Sequence, residues 1–331
     1  MRRILLALAG AGLFLAALDA YVVVTLLPAM MGDVGLTIER LEQGTPIVTG
    51  FLAGYVVAMP LLGAYSDVRG RVPVYVACMG AFAAGSVMTA TAGLWDFAGL
   101  PWLMAGRFIQ GLGGGGLVPL ALQEAGSVFG PLYGATLAAA AVSAGGWRFV
   151  FWLDVPLAAI CAAGLVIAAR RAEFPAPGAA SSIDWISALL LGLGLALLVL
   201  ALYPDDPEHR ATNGLFVPAG IGAVVMLGAY GWRHVHRLET LIPRDLLRSR
   251  AFVGAAAANV LIGAALIATL VDVPLLGRLV FNLNQLDSGL LLTQFLVGVP
   301  VGAVAGGFLA GRASDGVTAA LGIAVSAAAF V

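Results

Sequence analysis

Lysine is absent from this sequence of 331 residues, and all 17 basic residues are arginine. This absence excludes a Walker A phosphate-binding loop and lysine Schiff-base chemistry, because both require a lysine amine. Cysteine is nearly absent too: Cys78 and Cys161 lie in separate apolar runs without CxxC spacing. We interpret them as small core residues that form neither a disulfide nor a metal site.

Charge is scarce throughout the chain. Charged residues make up 11% of the sequence and hydrophobic residues 61%, whereas about 25% of a soluble domain is charged. The 44 glycines suit membrane helices, whose backbones approach closely where residues are small. The composition predicts an all-α integral membrane protein of many helices, with the membrane as a partner. We expect no nucleic-acid partner.

Eleven hydrophobic segments can be placed along the chain, ten of them complete spans and the last one cut short. About 20 apolar residues are enough to cross the hydrocarbon core. The first segment exceeds the 7–15 apolar residues of a signal peptide, so we expect it to remain as a helix. The segments are 4–31, 44–64, 73–93, 100–120, 122–143, 149–169, 185–203, 214–232, 251–277, 288–311 and 317–331.

Arginine placement predicts the orientation. With a cytoplasmic N-terminus, four arginines (Arg40, Arg148, Arg210 and Arg278) fall outside and Arg107 falls within the membrane. This bias follows the positive-inside rule and predicts a multi-pass protein of the inner membrane. The other twelve lie inside: Arg2, Arg3, Arg69, Arg71, Arg170, Arg171, Arg233, Arg237, Arg244, Arg248, Arg250 and Arg312.

Three connecting stretches complete the organisation. The same arginine count requires two helices between 100 and 145, joined by a very short turn at Pro119–Glu124. Phe174–Ser182 has the Pro, Ala, Gly and Ser content of a linker, and the alternating stretch Leu279–Leu286 is compatible with a short external strand. The predicted units are an N-terminal six-helix bundle (1–171), a linker with two additional helices (172–237), and the start of a C-terminal bundle (238–331).

The first hydrophobic run contains one carboxylate, Asp19, near its middle. A charge at that depth costs at least ~2.5–3.5 kcal/mol on insertion scales, so intramembrane acids are functional candidates by default. Burial would also favour protonation of such an acid near neutral pH. We therefore interpret Asp19 as a proton-titratable group; the alternative is a structural acid that pairs with a neighbouring helix.

Four segments resemble motifs of the major facilitator superfamily. Gly63–Arg71 (GAYSDVRGR) resembles its cytoplasmic GxLxDRxGR loop, and Leu18–Pro28 (LDAYVVVTLLP) the first-helix LDxTxVNxALP signature of its 14-helix drug:proton antiporters. Arg107–Gly111 (RFIQG) resembles the fourth-helix RxxQG element, and Gly126–Gly134 (GSVFGPLYG) the antiporter motif of the fifth helix. The amino-acid sequences of these segments are most similar to those of mycobacterial-type triacylglyceride exporters that work beside a periplasmic lipoprotein.

The resemblance implies two pseudo-symmetric six-helix bundles plus two central helices, with the C-terminal part missing from this chain. It departs from the pattern at Val68, where the loop motif has arginine, and near residues 120–123, where the family has a basic loop and half a helix. A second cytoplasmic turn, Gly311–Asp315, echoes Gly63–Asp67 in degenerate form, as expected for two related halves.

The resemblance also implies roles for individual residues. Asp19, Arg107 and Glu124 would form the proton-coupling site and cavity, although Arg107 is also compatible with a packing ion pair and Glu124 with a solvated helix end. Pro131 would kink its helix. The conformational latch loop would comprise Gly63, Asp67, Arg69, Gly70 and Arg71, with a simple positive-inside turn as the alternative, and the fifth-helix motif Gly126, Gly130, Pro131 and Gly134.

Other polar positions have simpler interpretations. Gly111, Gly113 and Gly116 match GxGxxG, but they follow no strand, so helix packing explains them better than a dinucleotide site. Asp154 and Asp272 lie near the outer ends of their segments, where we expect interfacial solvation. The acidic loop 205–209 lacks the fixed geometry of a metal site, and we expect no metal or cofactor.

The function implied is a proton-coupled exporter that works by alternating access, with a triacylglyceride or similar apolar lipid as cargo. The alternative cargo is a broad range of hydrophobic drugs, and a periplasmic lipoprotein is an implied partner. A membrane-embedded lipid-modifying enzyme is a third hypothesis, disfavoured because the one adjacent acid pair, Asp205-Asp206, has no second acidic cluster. A fourth is an auxiliary or inactive fragment. We expect no enzyme.

Overall fold

The structure is a computed structural model of the chain. It describes residues 2–36, 41–94, 99–117, 146–170, 184–202, 212–237, 244–283 and 312–329, together with single positions between 287 and 309. Everything said below about the structure refers to these residues.

The described secondary structure is helical, which confirms the all-α prediction. A 3-10 turn (Leu41–Gly44) precedes the second helix, whose first turn contains Pro46 where a missing amide proton is tolerated. In chain order the helices are α1 (Arg2–Asp33), α2 (Thr45–Arg69), α3 (Arg71–Ala90), α4 (Gly99–Leu117), α5 (Arg148–Arg170), α6 (Trp185–Leu202), α7 (Phe216–His236), α8 (Arg244–Arg248), α9 (Arg250–Leu279) and α10 (Asp315–Ala329).

The helix bounds agree with most of the hydrophobic segments to within a few residues. The predicted strand is wrong over residues 279–283, because α9 continues to Leu279 and the Leu283 amide then donates to the Gly277 carbonyl of the last helical turn (2.9 Å). The segment 122–143, the turn Pro119–Glu124 and the linker Phe174–Ser182 lie outside the described residues. The boundaries of the three units stay predictions.

The described helices place apolar side chains outward, as a bilayer requires. By length and composition, four of them could cross a membrane: α2, α3, α5 and α6. Large apolar side chains are exposed on α5 to α7, among them Ile160, Leu193 and Val224, whereas Asp19, Arg107 and Asp154 are buried. In water the reverse distribution would be favoured, so this arrangement indicates lipid surroundings.

Helix α4 packs with its backbone directly against α2 and α3, because glycines line both of its faces. A Cβ atom at Gly111 would overlap the carbonyl oxygen of Phe51 on α2, and one at Gly113 would lie 2.5 Å from the Cys78 carbonyl oxygen on α3. Close backbone approach of this kind needs residues without side chains. The GxGxxG pattern is thus part of a helix interface, as the sequence indicated.

Two apolar clusters fill the bundle, one toward each end of α1. The first contains Leu18, Val22, Leu26, Ile47 and Phe151, and the second contains Leu15, Phe51, Tyr75, Phe82 and Leu117. Asp19 lies where the two clusters meet on α1, and the polar site described below occupies that level of the bundle.

Helices α6 and α7 are joined at one end by a polar clasp. Asp184 caps α6: its Oδ1 accepts from the Ser187 amide (3.1 Å) and from Arg233 Nη2 of α7 (2.8 Å). Partial burial raises the pKa of Asp184, whereas the hydrogen bonds from Ser187 and the nearby Arg233 lower it. The lowering effects are together the larger, so the pKa of Asp184 lies below its usual value. The clasp ties the α6 N-terminus to the α7 C-terminus and complements the dipoles of both.

Gly111→Ala should destabilise the bundle, because the added methyl overlaps the α2 backbone and forces α2 and α4 apart. Overpacking of this kind costs about 1–3 kcal/mol. Thermal unfolding of the purified protein in detergent measures the loss. Gly80→Ala on α3 is the matched control, since its added methyl would have no other atom within 4 Å; equal unfolding temperatures for the two variants would contradict the close packing.

Asp184→Asn should weaken the α6–α7 clasp by about 0.2–1 kcal/mol at neutral pH, as for a partly exposed ion pair. A carboxylate with a lowered folded-state pKa stabilises the fold above its unfolded pKa of about 3.9. That stabilisation is lost as the pH falls through the lowered pKa. The unfolding temperature should therefore fall more steeply between pH 7 and pH 3 for the unsubstituted protein than for the variant. Parallel curves of unfolding temperature against pH would contradict the clasp.

Candidate functional site

Asp19 forms a buried ion pair with Arg107. The carboxylate belongs to the middle of α1 and the guanidinium to α4, and Arg107 Nη1 lies 2.5 Å from Asp19 Oδ2. The side chains of Asp19 and Arg107 are 0% and 1% exposed, respectively. Such a pair compensates the cost of burying each charge, which is several kcal/mol per ion when the partner is absent.

The guanidinium of Arg107 has further partners on three helices. Nη1 donates to Gln110 Oε1 (2.6 Å) on α4, and Nε donates to the Ile47 carbonyl of α2 (3.4 Å). The group also lies over the Phe51 ring at 4.5 Å and faces Phe151 of α5 at 5.8 Å. These cation–π and hydrogen-bonding contacts fix the guanidinium in position beside Asp19.

A chain of buried polar groups continues from Arg107 to α3 and α5. Gln110 Nε2 donates to Ser86 Oγ (2.9 Å) and to Asp154 Oδ2 (3.4 Å). Ser86 Oγ donates to Asp154 Oδ2 (3.3 Å) and to the Phe82 carbonyl (3.0 Å). We refer to Asp19, Ser86, Arg107, Gln110 and Asp154 as the polar network; each of these side chains is buried.

The expectation that Asp154 is solvated at the membrane interface is wrong. Its side chain is 1% exposed, whereas the side chain of Asp272 on α9 is exposed. Asp154 lies one and a half turns into α5, whose preceding segment is covered by the ends of α1 and α3. There Arg148 pairs with Asp33 and donates to the Ala92 carbonyl (2.8 Å), and Trp147 donates to Asp33 (2.8 Å).

Three members of the network were not among the predicted site residues: Ser86, Gln110 and Asp154. Gln110 follows Arg107 by three residues, so both lie on one face of α4. Ser86 is one hydroxyl in an apolar helix and gives little hydropathy signal. Asp154 offered a signal, since it is a carboxylate inside an apolar helix, but its nearness to the helix end favoured the interfacial interpretation.

The predicted latch loop joins α2 and α3. Gly70 has φ +87°, a backbone conformation that favours glycine, and its amide donates to the Ser66 carbonyl (2.9 Å) to end α2. Asp67, Arg69 and Arg71 are exposed, and no ion pair of Asp67 is found within the described part of the chain. Gly63 accepts from Ser66 Oγ (2.7 Å).

The remaining predicted site residues lie outside the described residues: Glu124, Gly126, Gly130, Pro131 and Gly134. Within the described ranges, no group of three His, Cys, Asp or Glu side chains could hold a metal ion. Of the predicted proton-coupling residues, Asp19 and Arg107 thus belong to the polar network.

The polar network is suited to proton exchange. Asp19 can gain a proton, whereas arginine stays charged in proteins. Protonation of Asp19 would convert a compensated ion pair into a neutral acid beside an unpaired guanidinium. A single proton thus changes the balance of charge between α1, α4 and α5, and the low polarity of the surroundings makes that change energetically large.

Comparisons with known proteins agree with the sequence motifs. A family model described as Major Facilitator Superfamily matches residues 9–123. The chain is 35% identical to a probable triacylglyceride transporter of Mycobacterium leprae over 353 residues, which covers 99% of this chain and 68% of the relative. It is 36% identical to a triacylglyceride transporter of Mycobacteroides abscessus, with 96% and 65% covered.

A triacylglyceride transporter of Mycobacterium tuberculosis is 37% identical, with 98% of this chain and 66% of the relative covered. The chain thus spans about two thirds of the length of these relatives. The aligned length of 353 residues exceeds the 331 of this chain, so the relative has residues without a counterpart here.

Arg107→Gln should destabilise the protein by about 3–5 kcal/mol, because it leaves the Asp19 carboxylate buried without its cation. The double variant Asp19→Asn/Arg107→Gln removes both charges and should lose less than the sum of the two single losses. Thermal unfolding of the four proteins in detergent completes the double-mutant cycle. Additive losses would show that the two side chains do not interact.

Proposed function

Since this chain belongs to the major facilitator superfamily, we propose that it acts in proton-coupled export across the inner membrane. The observation that supports this most directly is the buried ion pair between Asp19 and Arg107. Burying a titratable carboxylate within an apolar bundle costs free energy, and a role in proton exchange accounts for its presence there.

Protonation of Asp19 is the step that couples the proton to the cargo. In the proposed cycle, Asp19 takes up a proton from the outer side, which breaks its pairing with Arg107 and favours a second arrangement of the bundles. Release to the cytoplasm restores the pair, and cargo moves outward in the opposite step. One elementary charge across 100 mV supplies about 2.3 kcal/mol, enough to bias a two-state equilibrium.

Triacylglyceride, or a similarly apolar lipid, is the cargo that we propose. The support comes from the three relatives described above, each of which is named a triacylglyceride transporter or a probable one. An apolar cargo also suits a bundle in which Asp19, Arg107 and Asp154 are the buried charged side chains among the described residues. A broad range of hydrophobic drugs is the alternative cargo, and a periplasmic lipoprotein is a proposed partner.

The loop between α2 and α3 is proposed as the conformational latch. Asp67, Arg69 and Arg71 project from the helix ends into the exposed surface, where they are accessible to a partner helix in one arrangement of the bundles. We also propose a cytoplasmic N-terminus, a cavity role for Glu124, a bendable point at Gly130 and Pro131 in the hydrophobic segment 122–143, and no catalytic activity.

Asp19→Asn should abolish proton-driven transport while the protein stays folded, because the amide cannot take up or release the coupled proton. The measurement is efflux of a fluorescent triacylglyceride from proteoliposomes under an imposed pH gradient, with a cationic dye as a second substrate. Asp272→Asn is the matched control, since Asp272 is exposed and should leave efflux unchanged.

Efflux that survives Asp19→Asn unaltered would remove Asp19 from the mechanism. Transport of the dye without triacylglyceride would instead favour the multidrug alternative, and no transport of either by the unsubstituted protein would contradict the proposed function itself.

A further inference from the structure

The polar network contains two carboxyl groups but a single cation. Asp19, Asp154 and Arg107 are 0%, 1% and 1% exposed. If both acids were ionised, the buried site would carry a net negative charge, for which solvent offers little compensation. One additional proton would make the site neutral.

Among the described residues, the other charges of the surrounding helices lie too far along those helices to supply the balance. Ser86 and Gln110 are uncharged, and Arg148 already pairs with Asp33. In the helices packed around the site, the remaining charged residues of the sequence lie at helix ends: Arg2 and Arg3 on α1, Asp67 and Arg69 on α2, Arg71 on α3 and Arg170 on α5. The other titratable groups on these helices are Tyr21 on α1, Tyr55 and Tyr65 on α2, Tyr75 and Cys78 on α3, and Cys161 on α5.

Hydrogen-bond lengths distinguish the two acids. Arg107 Nη1 lies 2.5 Å from Asp19 Oδ2, whereas the donors to Asp154, Ser86 Oγ and Gln110 Nε2, lie at 3.3 and 3.4 Å. Bonds to an ionised carboxylate are shorter and stronger than those to a neutral group. Because the cation donates to Asp19 and neutral groups donate to Asp154, the arrangement favours Asp19 as the ionised acid and Asp154 as the acid that carries the extra proton.

One oxygen of Asp19 has no hydrogen-bond donor among the described residues and could accept that proton. This oxygen, Asp19 Oδ1, is buried. The two acids are neighbours in the network, because Arg107 Nη1 donates to both Asp19 and Gln110, and the Gln110 amide donates to Asp154. A buried acceptor without a donor costs about 1–3 kcal/mol. A proton on Asp154 directed at Asp19 Oδ1 would supply the missing donor.

We propose that Asp154 and Asp19 form an acid–carboxylate pair that shares one proton beside Arg107, so that Asp154 is a second proton carrier of the site. This proposal deepens the proposed function and rests on it for its transport consequences. When the proton passes from the Asp154 carboxyl to Asp19 Oδ1, Asp19 becomes neutral and releases Arg107. Asp154 becomes the carboxylate, which Ser86 and Gln110 stabilise by donating to Oδ2. The net charge of the site does not change.

Proton sharing of this kind explains how Asp19 can titrate beside an arginine. Alone, a carboxylate next to a guanidinium stays ionised over the physiological range, because the cation favours the charged form. A second carboxyl within reach competes for the same cation and delivers its proton to Asp19 directly. Asp154 therefore sets the pH range in which the ion pair opens.

The experiment is an infrared difference titration of the purified protein, read at the carbonyl stretch of protonated carboxylic acids. The unsubstituted protein should retain such a band at neutral pH, where exposed carboxyl groups are ionised. Asp154→Asn should remove the band, and Asp272→Asn should leave it. This readout is independent of transport, so it remains informative if the proposed function fails.

Transport gives the second readout. With Asp19 left alone beside Arg107, Asp154→Asn should shift the midpoint pH of proton-driven efflux to lower values by about one unit or more, while Asp272→Asn leaves it unchanged. If Asp154 only packs the bundle, the variant would lower the unfolding temperature and keep both the infrared band and the midpoint pH; that result overturns the proposal.

A second variant keeps the test decisive should Asp154→Asn not fold. Ser86→Ala removes one donor to Asp154 Oδ2 and leaves both carboxyl groups in place. The infrared band of the protonated acid should persist and shift in frequency, because its carbonyl loses a hydrogen bond. A band with unchanged frequency would mean that the protonated acid is not Asp154.

Discussion

The constraint on which the rest of this structure depends is that a charge inside an apolar bundle must have its counter-charge in place. Asp19 and Arg107 meet that requirement for each other across α1 and α4. Every surrounding feature serves the pairing: aromatic rings on α2 and α5 enclose the guanidinium, and two apolar clusters exclude solvent above and below it. Breaking the ion pair is therefore costly in free energy. A protein that breaks and re-forms it during a cycle can couple that free energy to a conformational change.

The packing of α4 explains how that pairing can be held so closely. Its glycines let the backbones of α2 and α3 approach without intervening side chains, so the few side chains that α4 does project meet their partners at short range. Arg107 and Gln110 are two of these. Dense packing and sparse polarity are thus consequences of the same sequence feature, a helix rich in glycines that are too small to separate its neighbours.

Much of the fold was predictable because the lengths of the hydrophobic runs report directly on the helices that a bilayer requires. The site was predictable where a charge interrupts an apolar run, as at Asp19 and Arg107, and the family resemblance pointed to the same two residues. Gln110 is part of the fourth-helix motif that carried the resemblance, but it was assigned no role, and Ser86 could not be found in this way, since neutral polar groups are tolerated in any membrane helix. Asp154 was misplaced because distance along a helix does not reveal whether neighbouring helices cover that end; Asp33, Trp147 and Arg148 do cover it.

The glycine-lined contacts of α4 have a mechanical consequence. Helices whose backbones touch have no deformable side chains between them to absorb displacement, and close-packed interiors transmit strain. Helices α2, α3 and α4 should therefore move as one stiff lever. A displacement of the exposed loop that joins α2 to α3 would therefore be transmitted through these helices to the opposite surface of the bundle. Contacts made by that loop could thus control the position of all three helices.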